Sequence, residues 1–325
     1  MYKRQVLEGS SIHSWYEFER LETINQCMEI GDIRLKVCEL LKVGDIQEIV
    51  PGAAYIHSLF HLDHPSVTIV IRTHQTQNHL PQFDYRKPHV AVDPFYQEPN
   101  LIKKLQLIST MIRLERPEAD GLVSDLLAGS DLFTSYLILL NIRNYLKSNQ
   151  MDEIFKLGRS ESKFDVFMEI VGKRHGAHAD VLRKVFEYQR RLDSIVHKRS
   201  LVANPEQRFF LALLMNVEGR ERIFELIKAR FPDADPLEKA ADWIFDLAQT
   251  RVFGANMTNA LGIAEFDDLD LHILEGLFRD KQPDEIERGL ETEFGPEQSA
   301  ELRPRLTAKL QKLLSADVLQ PLLVK

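Results

Sequence analysis

From Leu101 to its end, the chain is a succession of apolar residues at helical spacing, punctuated by Pro117, Gly129, Pro205, Pro232, Pro236, Pro283 and Pro296. Prolines at such positions start or stop helices rather than interrupt them. The pattern commits most of the chain to helix. Helices are predicted at 101–115, 118–128, 131–148, 151–157, 161–174, 178–199, 205–217, 219–230, 235–249, 268–279, 283–293 and 297–316. No repeat period holds through three units. The expected fold is therefore mainly α, a multi-helical bundle or irregular helical array, with a small α+β part at residues 6–100 and the helical domain at 101–325.

The N-terminal part reads differently. Met1 to Gln5 (MYKRQ) resemble translated adapter sequence, so the natural start is expected to be missing and these five residues are left out of fold reasoning. After the helix-capping Ser10 and Ser11, apolar Trp15, Phe18, Leu21 and Ile24 recur every three residues, which predicts a helix to Cys27. A second helix is predicted over Asp32–Val43, with Gly44 as its stop. Ile46–Val50 is a short strand candidate before the Pro51-Gly52 turn, and Ser66–Thr73 (SVTIVIRT) is the clearest strand pattern in the chain. Residues 75–100 then form a proline-rich arm with only His89–Val92 extended. So long a segment without secondary structure is uncommon and often functional.

Composition narrows the function classes. A net charge of −8 argues against nucleic-acid binding through bulk charge. No apolar run approaches the roughly 18 residues of a membrane span. Cys27 and Cys38 form no ligand pattern, which suits a reducing, cytoplasmic setting. Phosphate loops, dinucleotide fingerprints and nucleophile elbows are absent from the sequence. Charge is uneven: Lys173–Arg199 holds eight basic residues against three acidic ones, and Glu265–Glu301 thirteen acidic against three basic. Solvated helix faces are the plain reading, and a basic face for an anionic ligand is the sharper one.

Chemistry concentrates between His57 and Asp93. Six of the eleven histidines lie there, at 57, 61, 64, 74, 79 and 89. Neutral imidazole is the commonest protein ligand for zinc and iron. His57 and His61 share a face under helix or strand geometry. With His64 or His74, and Asp63 as carboxylate, they could hold zinc or iron and activate a water. The strands expected here are too few for a metal-binding β-barrel. Arg72 and Arg86 are candidates for binding a substrate or anion through planar guanidinium contacts. A helical pair, Asp193 and His197, is the weaker candidate for a carboxylate-bridged metal site. The function expected is that of a metal-dependent enzyme acting on a small molecule. The competing reading is a non-catalytic helical scaffold or interaction module with a protein partner. Neither nucleic acid nor membrane is expected, and oligomeric state is not legible.

Overall fold

The computed structural model describes residues 2–49, 55–72, 83–95, 98–148, 159–251 and 259–323. Eight strands occupy the first part: β1 (Tyr2–Glu8), β2 (Ser11–Asn25), β3 (Met28–Leu41), β4 (Ile46–Ile49), β5 (Ile56–His61), β6 (Val67–Arg72), β7 (Asp84–Arg86) and β8 (Val90–Val92). They form two antiparallel sheets, ordered β4-β1-β6 and β5-β2-β3-β8-β7. Twelve α-helices follow among the described residues: α1 (Pro99–Arg113), α2 (Ala119–Gly129), α3 (Leu132–Ser148), α4 (Arg159–His175), α5 (Ala177–Leu201), α6 (Pro205–Asn216), α7 (Arg220–Arg230), α8 (Pro236–Gln249), α9 (Asp268–Phe278), α10 (Pro283–Phe294), α11 (Pro296–Leu314) and α12 (Gln320–Leu323). The protein is thus mainly α with a small strand-bearing N-terminal part, as the sequence indicates. The helix expected at 151–157 lies outside the described residues.

The helix starts follow from local chemistry. Asn204 and Asp235 accept hydrogen bonds from the first free N–H groups of α6 and α8, and each is followed by proline at the first helical position. Asp267 and Asp270 form a reciprocal capping box at α9.

The two helices expected before residue 44 are instead the long β2–β3 hairpin. The period of three that suggested the first has a physical source. Leu21 and Ile24, two of its four apolar residues, are the unpaired extra residues where the register slips between Arg20 and Glu22 and again between Thr23 and Asn25. A bulge inserts one residue and shifts the inside–outside alternation, so a bulged strand can mimic helical spacing. Leu21 is accordingly 64% exposed. Gly44, expected to stop a helix, has φ +97° in the turn to β4, where its N–H donates to the Val6 carbonyl. The strands expected at 46–50 and 66–73 are present as β4 and β6, and the stretch carrying His57 and His61 is β5.

Four of the five residues set aside as adapter-like belong to β1. Tyr2 to Gln5 pair in register with Ile49 to Ile46 on one side and Arg72 to Ile69 on the other. They are therefore part of the fold and cannot be left out of it.

Among the described residues, two large apolar cores mix the strand and helix parts, beside a small cluster of the strand residues Tyr16, Ile33, Leu35 and Ile56. One joins Ile12 and Leu62 to α6 through α12. The other joins Met28, Ile30, Val90 and Val92 to α1 through α5. Helix α5, 25 residues long, gives Leu182, Val185 and Phe186 to the second core and Ile195 to the first. The five-stranded sheet is thereby pressed along the helical array on one face, leaving its other face toward β1 and β4.

Candidate functional site

That second face is polar. Strand alternation puts Ser11, His13 and Trp15 of β2 on it, with Glu39 of β3 opposite His13 and with His57 and His61 of β5 opposite Trp15 and Ser11. The facing sheet contributes Arg4 from β1, buried, and Gln47 from β4, which donates to Glu39 Oε1 at 2.8 Å. His13 and Arg4 are thereby buried between the two sheets, whereas His57 and Glu39 are half-buried and His61 is exposed.

At the centre are two imidazoles. His13 Nε2 and His57 Nδ1 are 3.3 Å apart, with ring centroids 5.3 Å apart and planes nearly perpendicular. His13 is fully buried. Trp15 Nε1 donates to His13 Nδ1 at 3.0 Å, and the Tyr55 ring packs against both Trp15 and His57. Burial, then the charges of His57 and Arg4, push His13 down to about 4. Burial and Arg4 lower His57 and His61 in the same direction. His13 is thus neutral at physiological pH, the state in which imidazole binds metal. Burial raises the Glu39 carboxyl, opposed by the Gln47 hydrogen bond.

The spacing has a chemical meaning. Two nitrogens bound to one tetrahedral ion at about 2.05 Å each would be about 3.3 Å apart. The Glu39 carboxylate lies 3.7 Å from His13 Nδ1, on the nitrogen that does not face His57. At 3.7 Å this is beyond a hydrogen bond, and Nδ1 accepts from Trp15 instead; for Nε2 to ligate an ion, Nδ1 would have to carry the proton and donate to Glu39 rather than accept from Trp15. Among the described residues no three His, Cys, Asp or Glu side chains form a metal-holding group, so an ion here would need ligands beyond the pair.

The expected ligands are placed as follows. His57 is in the pair. His61 is not, although it shares a strand face with His57: four residues along a strand is about 13 Å, whereas four along a helix is about 6 Å. His61 Nδ1 instead meets Ser11 and Ser66 hydroxyls at 3.1 and 2.7 Å. His64 is exposed beside Pro65. His74 and His79 lie outside the described residues, as does the Pro51-Gly52 turn. Asp63 is held by Arg230 at 2.9 Å and by the Ser10 hydroxyl; against the effect of burial, these bonds lower its carboxyl below the usual range. His89 bonds Asp32 at 3.0 Å. Arg72 ends β6 opposite Tyr2, and Arg86 donates to Asp84 at 2.7 Å. In the helical pair, Asp193 is engaged by Arg143 at 2.7 Å, which argues against a carboxylate-bridged metal there.

His13 was missed because its segment read as helix. The alternation of Ser11, His13 and Trp15 around a β-prone I-H-S-W-Y run was the signal that could have placed it beside His57. Comparison with family models, curated proteins and solved structures gives no match for the chain.

Proposed function

We propose that the protein is a metal-dependent enzyme whose ion, zinc or iron, sits between His13 Nε2 and His57 Nδ1, with the remaining positions open to water and a small substrate. The observation that carries this is the 3.3 Å approach of two imidazoles, His13 buried and His57 half-buried, with the Glu39 carboxylate 3.7 Å from the His13 nitrogen that faces away from His57. An ion with open positions lowers the pKa of bound water toward neutrality and so supplies a nucleophile. The strand number no longer speaks against such a centre, because eight strands lie among the described residues, with β2 and β5 carrying the pair and β1 and β4 facing it. Arg4 adds a buried positive charge that favours an anionic substrate or product. Two free thiols suit a reducing, cytoplasmic compartment, and no helix among the described residues is long and apolar enough to cross a membrane.

A second reading is favoured by one observation, the complete burial of His13 with its Nδ1 already satisfied by Trp15. In it the histidine pair is structural and the protein is a helical scaffold. Metal content separates the two. After expression with added zinc or iron, the enzyme reading expects close to one ion per chain, lost in His13→Ala and His57→Ala and kept in His61→Ala. Wild-type protein with no ion above background, or variants that bind as well as wild type, would reject it.

A further inference from the structure

A second cluster of polar side chains lies where Arg86, at the edge of the five-stranded sheet, comes near Tyr136 of α3 and its neighbours on α5. Arg86 comes from β7, Tyr136 and Arg143 from α3, and Gln189, Arg190 and Asp193 from α5. The fully buried Tyr136 hydroxyl stands beside Gln189, within the fields of Arg86, Asp84 and Arg143. Arg143, itself buried, donates to Gln189 Oε1 at 2.5 Å and to Asp193 Oδ2 at 2.7 Å, with the Arg190 charge nearby. Arg86, paired with Asp84, and Arg143, paired with Asp193, thus both act on Tyr136.

Ion pairing does not use up the donors. Arg86 gives Nη2 to Asp84, but its Nε is buried and completes no hydrogen bond. The Tyr136 hydroxyl lies next to Gln189 without reaching normal hydrogen-bond geometry. Buried donors without acceptors are rare in folded proteins and point to a missing partner. Burial, then the Arg190 charge, brings Arg143 down to about 10.

We propose that this cluster binds a small phosphate-bearing anion, with Arg86 and Arg143 as guanidinium donors and Tyr136 as a hydroxyl donor. A tetrahedral oxyanion accepts from several directions at once, which suits donors arriving from a strand and two helices. The chain as a whole carries −8, so a phosphate ion is not drawn to it by bulk charge, and saturable binding would require a local site.

The test is calorimetric titration of the full chain with inorganic phosphate, glycerol phosphate and malonate. One saturable phosphate site is expected, weakened about tenfold by Arg86→Gln and by Tyr136→Phe, the loss of one hydrogen bond to a charged ligand. Arg34→Gln, an exposed arginine on the β2–β3 hairpin, should change nothing. Circular dichroism melting confirms that each variant is folded, and Arg86→Lys should recover only part of the affinity because it keeps charge without the planar fork. The ester binding more tightly than inorganic phosphate assigns an organic phosphate, and equal binding assigns the free ion; both support the site. Absence of saturable phosphate binding, undiminished binding in both variants, or tighter binding of malonate would overturn it.

Discussion

Replacing His13 by Gln should remove a pH dependence of stability that the buried imidazole creates. His13 titrates near 4 in the fold against 6.5 when exposed. In that window the unfolded chain binds the proton and the folded chain does not, so stability rises with pH. The contribution is complete above 6.5 and is lost as pH falls to about 4. At 1.36 kcal/mol per pH unit the loss comes to about 3 kcal/mol. The groups responsible are the enclosing sheets, then His57 from β5 and the Arg4 charge from β1, with the Glu39 carboxylate 3.7 Å from His13 Nδ1. His57 and His61 shift in the same direction, so wild type should lose more than this in total. The decisive quantity is the difference between wild type and His13→Gln, measured by urea unfolding at pH 7, 6, 5 and 4. Asp267, held at about 2 by Lys309 and Arg305 against the effect of burial, titrates below this window and does not confuse it. Parallel stability curves for the two proteins would refute the reasoning.

Other perturbations test the frame around the site. Asp270 is fully buried and meets Lys309 at 2.5 Å and Lys312 at 2.7 Å; Lys309→Met should cost about 3 kcal/mol in urea unfolding, the lower end for a broken buried pair because Lys312 remains. Gly31→Ala should destabilise by about 1–3 kcal/mol, since an added Cβ would overlap the Glu19 carbonyl oxygen and the Phe18 ring across the hairpin; an unchanged melting temperature would contradict the pairing described. Phe210→Ala, at a fully buried ring packed on Trp243, should cost about 3–5 kcal/mol, measured in the same way.

How much was legible depended on what each residue's neighbours contribute. Helices α6, α8 and α9 announce themselves through Asn204-Pro205, Asp235-Pro236 and Asp267, because capping is a local interaction. Strand β6 is equally local, since its β-branched alternation needs no knowledge of its partner. The β2–β3 hairpin was not legible as strand because its bulges at Leu21 and Ile24 erase the period of two, and a bulge is a property of two paired chains. The site followed the same division. His57 was singled out by density of histidines nearby, but its partner is 44 residues upstream and is brought beside it only by the β2–β5 pairing. His61 looked equivalent because parity of spacing gives a face and not a distance.

The central claim is that His13 and His57 are spaced to share an ion. A crystal of the protein grown with zinc, examined by anomalous diffraction at the zinc edge, tests it most directly. One peak is expected between His13 Nε2 and His57 Nδ1, about 2.0–2.1 Å from each, with His13 Nδ1 turned to Glu39. Imidazoles still bonded to each other at 3.3 Å, with no peak between them, would contradict it.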